Sequence, residues 1–194
     1  EEFFIFKCME YGVDSMTTVF TPDHADYFNE LGYTNLKLSG YSIPAFDYGK
    51  KLVNFNFEKL YFSASSLSLD EISQTIANLR ELNIDFCLLG CTCVYPTPLE
   101  KANLQNIPFY KFYFNLDEIG YSDHSNPYED NLLTTKLAIF QGVDVVERHY
   151  TIMDKDSTRD GKVSINAHSI TNLISLMNSK FSTTTIIEGD LNRL

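Results

Sequence analysis

Short apolar runs alternate along the chain with stretches whose apolar residues recur every three or four positions, the pattern of strands interleaved with helices. Residues 2–11 carry Phe4, Cys8 and Tyr11 at helical spacing and stop at Gly12, which predicts a first helix. Residues 13–20 (VDSMTTVF) read as a strand, and Thr21-Pro22 opens a helix that Gly32 ends. Residues 33–38 (YTNLKL) predict a second strand, residues from about 45 to 53 a helix, and residues 59–63 (KLYFS) a third strand. Ser68-Leu69-Asp70-Glu71 forms a capping box, followed by Ile72, Ile76 and Leu79 on one helical face. A strand at 84–90, a Pro-containing loop, an aromatic-rich helix near 103–113 and a short strand at about 118–121 follow. Helix 129–141 carries Leu133, Leu137 and Phe140 on one stripe and ends at Gly142. Strand 143–147 (VDVVE) leads into a polar loop, and Asn166 caps a last helix at about 167–180, with Ile170, Ile174 and Met177 inward.

Strands and helices in regular alternation imply βαβ units and a parallel sheet, so the fold class is α/β. An open doubly wound sheet and a TIM (β/α)₈-type barrel both fit that order. The ends of the strands favour the barrel, because polar and ionisable residues gather there: Thr17 and Thr18, Lys37 and Ser39, Ser63, Cys91 to Cys93, Ser122 to His124, Glu147 to His149. Barrel active sites are built at that face by several strands together. A full barrel takes about 250 residues. Six strands in 194 residues therefore predict an incomplete barrel with two βα units unaccounted for. No linker or low-complexity tract divides the chain, so residues 1–194 are expected to form a single partial barrel domain.

Composition narrows the function. A net charge of −11 excludes the basic footprint that nucleic-acid binding needs and disfavours electrostatic attachment to anionic membranes. No apolar run approaches the ~20 residues of a membrane span. Three of the four cysteines, Cys87, Cys91 and Cys93, lie close together in or just after an apolar run. They read as reduced thiols of a cytoplasmic protein rather than a disulfide framework. A zinc site at the C-x-C pair lacks a second pair at ligand spacing.

His124 and His149 follow consecutive strands, where neutral imidazoles converge on one divalent cation or simply hydrogen-bond at loop starts. His24 and His168 fall at helix N-termini and read as surface residues. Lys37 stands near the end of an apolar strand with Ser39, Ser63, Ser122 and Thr18 in place to surround it. That grouping suits a phosphate or carboxylate; its plainer alternative is a lysine reaching solvent and serines capping helices. Arg148 is expected to join Lys37 at the mouth. Asp160 suits a metal, a water or a sugar hydroxyl, and equally a turn.

Several of these stretches resemble the sialic acid synthase family, which includes N-acetylneuraminate, legionaminate and pseudaminate synthases. Cys91-Thr92-Cys93-Val94-Tyr95-Pro96-Thr97-Pro98 is similar to that family's "CT-x-x-YP-x-P" segment, Gly120 to Ser125 to its "G-x-SDHT", and Glu147 to Thr151 to its "E-[KR]-HFT". Lys37 to Gly40, Thr17 to Phe20 and Phe62 to Ser65 are weaker matches in the correct order. The resemblance implies strands three to eight of a barrel, the first two βα units and a small C-terminal antifreeze-like domain having no counterpart. It implies condensation of phosphoenolpyruvate with an N-acylated hexosamine in its aldehyde form, with release of phosphate, by a homodimer when full length. His124 and His149 would hold Mn²⁺ or Mg²⁺. Thr18, Lys37, Ser39, Ser63, Cys93 and Ser122 would bind substrate, and Tyr95 and Asp160 would lie on the sugar side with catalytic roles.

The chain departs from the family pattern in places. Tyr41 and Ser42 stand where the family has a glutamate after the lysine. Cys93 replaces an asparagine or serine, Ser63-Ala64-Ser65 has lost a glycine, and of a "GPD" only Asp160 is kept. Two further readings therefore stay open: another phosphoenolpyruvate-using 3-deoxy-2-keto acid synthase, and a non-catalytic relative that binds a ligand or partner.

Overall fold

A computed structural model describes residues 1–43 and 55–180. The helix expected at about 45–53 lies outside those residues. Seven parallel strands make the sheet: β1 (Met16–Val19), β2 (Asn35–Leu38), β3 (Lys59–Ser63), β4 (Phe86–Cys91), β5 (Ile119–Asp123), β6 (Val145–Tyr150) and β7 (Ser164–Ile165). The described helices are α1 (Glu2–Tyr11), α2 (Pro22–Leu31), α3 (Leu69–Glu81), α4 (Asn106–Tyr113), α5 (Pro127–Asp130), α6 (Leu133–Phe140) and α7 (Ala167–Lys180).

The strands lie side by side in the order of the chain. A doubly wound sheet reverses its order at a switch point, whereas a barrel wall does not. The sheet curls into a half-barrel. The expected α/β barrel wall is present, with seven strands rather than six. The extra strand, β7, pairs His149 with Ser164 and Tyr150 with Ile165, too short to show a period in the sequence.

Local signals act as their chemistry requires. The Ser68–Glu71 capping box is complete, and the Asn166 side chain accepts the Ser169 backbone N–H at the start of α7. Gly12 and Gly32 end α1 and α2 at φ 64° and 79°, where a side chain would strain the backbone. One expected helix is divided. Between α5 and α6, Asn131 and Leu132 turn left-handed at φ 51° and 61°. The Asp130 carboxylate compensates by accepting the backbone N–H groups of Leu132 and Thr134 and the Thr134 hydroxyl.

Residues alternate between the two faces of a strand, and registered neighbours in a parallel sheet point the same way. Val19, Leu36, Leu38, Leu60, Phe62, Leu88, Ile119 and Tyr121 therefore share the outer face, where they pack as a buried core against Ile72, Ile76 and Leu79 of α3, Ile107 of α4 and Ile139 of α6. The inner face carries Thr18 and Lys37 in register, then Ser63, then Cys91, Ser122 and Glu147 in register, each group two positions further along its strand.

Arg148 is on the outer face and not at the mouth, contrary to the sequence expectation. Its guanidinium lies 2.8 Å from the Asp123 carboxylate, with both side chains almost fully buried, and donates to the carbonyls of Ser125 and Val163. Asp123 also accepts the Ser125 backbone N–H at 2.7 Å and the Thr135 hydroxyl at 2.5 Å. The pair ties β5 and β6 to α6 and to the short helical turn Gly161–Val163. Asp123→Ala leaves that guanidinium buried without its partner, and is expected to lower the unfolding free energy by about 3–5 kcal/mol in urea denaturation.

Candidate active site at the strand ends

Five strands each send two residues, two positions apart, toward the C-terminal mouth: Lys37 and Ser39, Ser63 and Ser65, Cys91 and Cys93, Ser122 and His124, Glu147 and His149. Glu147 and His149 share the inner side of β6 by this spacing, while Ser39, Ser65, Cys93 and His124 follow Lys37, Ser63, Cys91 and Ser122 just past the ends of their strands. The site is thus written in the alternation of the strands.

Lys37 reaches across the mouth to Glu147, with Nζ 2.5 Å from Oε1. The Ser122 hydroxyl donates to the same oxygen at 2.7 Å. Burial works to raise the Glu147 pKa, but the charge and hydrogen bond of Lys37, with the Ser122 bond, hold it below the usual carboxylate range. Glu147 stands among the polar strand-end residues of the sequence, where no individual role falls to it. Its two-residue offset from His149 is the signal that places it in the site. Lys37 and Ser122 meet through this carboxylate, and the remaining ammonium hydrogens of Lys37 are left for an anion.

The other expected binding residues divide. Ser63 bonds to the Ser65 hydroxyl at 2.9 Å, while Ser39 bonds to Ser42 at 2.7 Å. Thr18 is beside Lys37 in register. The backbone between Ser39 and Tyr41 is held close to β3, since a Cβ on Gly40 would sit 1.9 Å from the Ser65 carbonyl oxygen. Tyr41 projects into solvent, Ser42 is buried, and neither side chain is a carboxylate.

Tyr95, on the loop after β4, joins the two histidines. Its hydroxyl is 2.8 Å from His124 Nε2, and its ring is 4.1 Å from the His124 ring and 5.8 Å from that of His149. His124 Nδ1 stands 3.3 Å from the Thr92 carbonyl, which can only accept, so Nδ1 carries the proton and Nε2 the lone pair. Burial, with His149 nearby, pushes the His124 pKa down to about 4. The two imidazole rings are 5.2 Å apart, and Asp160 Oδ2 lies 3.9 Å from His149 Nδ1.

Among the described residues, no group of three or more His, Cys, Asp or Glu side chains is arranged to hold a metal ion. The pair of imidazoles on adjacent strands, one of them held neutral, nonetheless fits a cation that takes two protein ligands and leaves its other positions to water or substrate. His24 and His168 lie away at helix ends, as expected.

Cys91 and Cys93 complete the mouth. The Cys91 thiol is 3.7 Å from His124 Nδ1 and interacts directly with Cys93, a contact that with burial raises the Cys91 pKa. Cys93 is exposed and is held below the ordinary thiol range, first by that contact and then by Ser65 and the charge of Lys37.

A parallel half-barrel with a lysine, a carboxylate, hydroxyls and paired imidazoles at its strand ends defines a class, the β/α-barrel proteins with their site at the C-terminal face. The chain belongs to the NeuB family, whose family model matches residues 2–185. Among its relatives, the N,N'-diacetyllegionaminic acid synthase of Campylobacter jejuni is 32% identical over 155 residues, covering 77% of this chain and 44% of that protein. The spore coat polysaccharide biosynthesis protein SpsE of Bacillus subtilis is 25% identical over 95% of this chain and 54% of its own length. The crystal structure of an N-acetylneuraminic acid synthetase from Leptospira borgpetersenii, solved with citrate, shares the fold at a TM-score of 0.84 and 20% identity over 99% of this chain and 68% of that one. The chain spans about half the length of these two curated relatives.

Burial of neutral His124 makes stability depend on pH. The unfolded imidazole takes a proton near 6.5, while the folded one resists protonation until about 4. Stability is therefore complete above pH 6.5 and falls as pH drops across that window, by up to about 3 kcal/mol. Urea titrations in EDTA are expected to show this slope, and His124→Gln to flatten it.

Proposed function

We propose that these strand ends form the site of a nonulosonic acid synthase, joining phosphoenolpyruvate to an N-acylated hexosamine in its aldehyde form. The single observation that carries this proposal is the convergence of Lys37, Ser122, Glu147, Tyr95, His124 and His149 on one mouth from three strand ends and a loop, in a chain of the NeuB family.

Lys37, with Thr18, Ser39, Ser63, Cys93 and Ser122 around it, receives the phosphate and carboxylate of phosphoenolpyruvate. Fixed donors orient the enol carbon for attack and stabilise charge as it develops. Glu147 holds Lys37 and Ser122 in place before the anion arrives. His124 and His149 would hold Mn²⁺ or Mg²⁺, which when bound supplies Lewis-acid polarisation of a carbonyl oxygen. Tyr95 and Asp160 face the sugar, beside a cleft of about 610 Å³ lined by Pro96, Thr97, Ser125, Asn126, Lys155 and Lys162 among others. The enol carbon attacks the aldehyde, water adds to the resulting cationic carbon, and the tetrahedral adduct loses phosphate.

On this proposal the described strands are the third to eighth of the barrel, joined by the short β7. The protein acts as a cytoplasmic homodimer. Among the described residues no helix is long and apolar enough to cross a membrane.

Phosphate release from phosphoenolpyruvate, measured for the full-length protein with Mn²⁺ and a panel of N-acylated hexosamines, tests the proposal. Release with at least one sugar is expected, and none with any sugar overturns it. Lys37→Ala is expected to lower kcat/KM by about 100-fold or more, on the scale of losing one oriented donor. His124→Ala with His149→Ala is expected to abolish Mn²⁺ binding in calorimetry.

A further inference from the structure

The loop after β4 grips His124 at three points, and the three are not alike. The Thr97 backbone N–H donates to the His124 carbonyl at 2.9 Å. The Thr92 carbonyl accepts from Nδ1, and the buried Thr97 hydroxyl braces that part of the loop from within, between the carbonyls of Thr92 at 3.3 Å and Val94 at 2.5 Å. The Thr92 side chain is anchored in turn, its hydroxyl donating to the Lys101 carbonyl at 2.9 Å. A ring N–H held on a fixed carbonyl sets the tautomer and aims the other nitrogen, as the outer contacts of metal-binding histidines do.

The third point is a side chain with room to move. Nε2 has no proton to give, so the Tyr95 hydroxyl 2.8 Å away donates to it. Among the described residues no other group hydrogen-bonds to that nitrogen. Tyr95 is 49% exposed and His124 only 5%, so the tyrosine is the partner free to swing away. A lone pair that receives a hydroxyl hydrogen cannot at the same time bind a cation at the ~2 Å of a metal–imidazole bond. Left with neither, a nearly buried nitrogen would go unsatisfied.

We propose that Tyr95 is a displaceable cap on His124: it donates to Nε2 in the metal-free protein, and a divalent cation binding there breaks that hydrogen bond and frees the hydroxyl for the sugar side of the mouth. Tyr95 acts on the metal through His124 and is in this respect a positioning residue. It keeps the buried lone pair satisfied and lowers metal affinity by the worth of one hydrogen bond. The inference rests on the assignment of His124 and His149 as metal ligands.

The test is titration calorimetry of Mn²⁺ into the full-length, metal-stripped protein. Tyr95→Phe keeps the ring and removes the hydroxyl, and is expected to bind Mn²⁺ about 3–10-fold more tightly than the unaltered protein, the scale of one neutral hydrogen bond. A second readout needs no metal: in nitrogen NMR of the histidine side chains, the His124 Nε2 resonance is expected to move on Tyr95→Phe while those of His168 stay in place. Weaker binding by Tyr95→Phe would make the tyrosine a ligand or a structural prop and overturns the cap. Unchanged affinity overturns it too, as does an unmoved His124 resonance. Mn²⁺ that fails to bind the unaltered protein, or that still binds after His124→Ala with His149→Ala, overturns the metal assignment itself, so the two failures are told apart.

Discussion

A lysine on the second strand touches a glutamate on the sixth, 2.5 Å apart, and a flat sheet forbids that contact. Neighbouring strands lie about 4.8 Å apart, so four steps along a plane would separate the two backbones by roughly 19 Å. The Lys37–Glu147 pair exists because the sheet curls, and it holds the mouth at a defined width in return. Both side chains are largely shielded from water. Such a pair gains little net stability after desolvation. Its value lies in position: it fixes where a cation and a Ser122 hydroxyl stand before any ligand arrives.

Curling also separates the two faces of the sheet chemically. The outer face is apolar and is sealed by helices, so it carries the hydrophobic stabilisation. The inner face is free to be polar, and its hydroxyls, thiols and charges meet at the strand ends. Asp123 and Arg148 are the exception on the outer side. Each stands next to an inner-face residue, Ser122 and Glu147, so the buried outer ion pair and the polar inner cluster are set on the same two strands. Movement of β5 against β6 would disturb both.

Much of the fold was legible. Capping residues, left-handed glycines and apolar periodicity act within one turn or one strand, and the capping box, the Asn166 cap and the order of strands and helices follow from them. The misses have physical reasons. β7 is two residues long and has no period to read, while the break before α6 depends on the Asp130 carboxylate gathering donors that no propensity reveals. Within the site, His124 and His149 were expected to face one another from consecutive strands, and their rings lie 5.2 Å apart; the contact of Tyr95 with both was not foreseen. Arg148 was expected beside Lys37 because both are basic and near strand ends, yet one position of alternation turned it to the opposite face.

Local covalent geometry accounts for what the sequence by itself determined: which segments are strands, which residues share a face, and which polar pairs stand at the strand ends. Alternation of side chains is a property of each strand alone, so it is readable without knowing the fold. The tertiary structure decided the partners. That Lys37 meets Glu147 across 110 positions depends on the curl of the sheet. The neutrality of His124 depends on burial and on His149 from the next strand, and the lowered pKa of Glu147 on Lys37 from across the mouth. Those terms are sums over groups that the chain brings together only by folding.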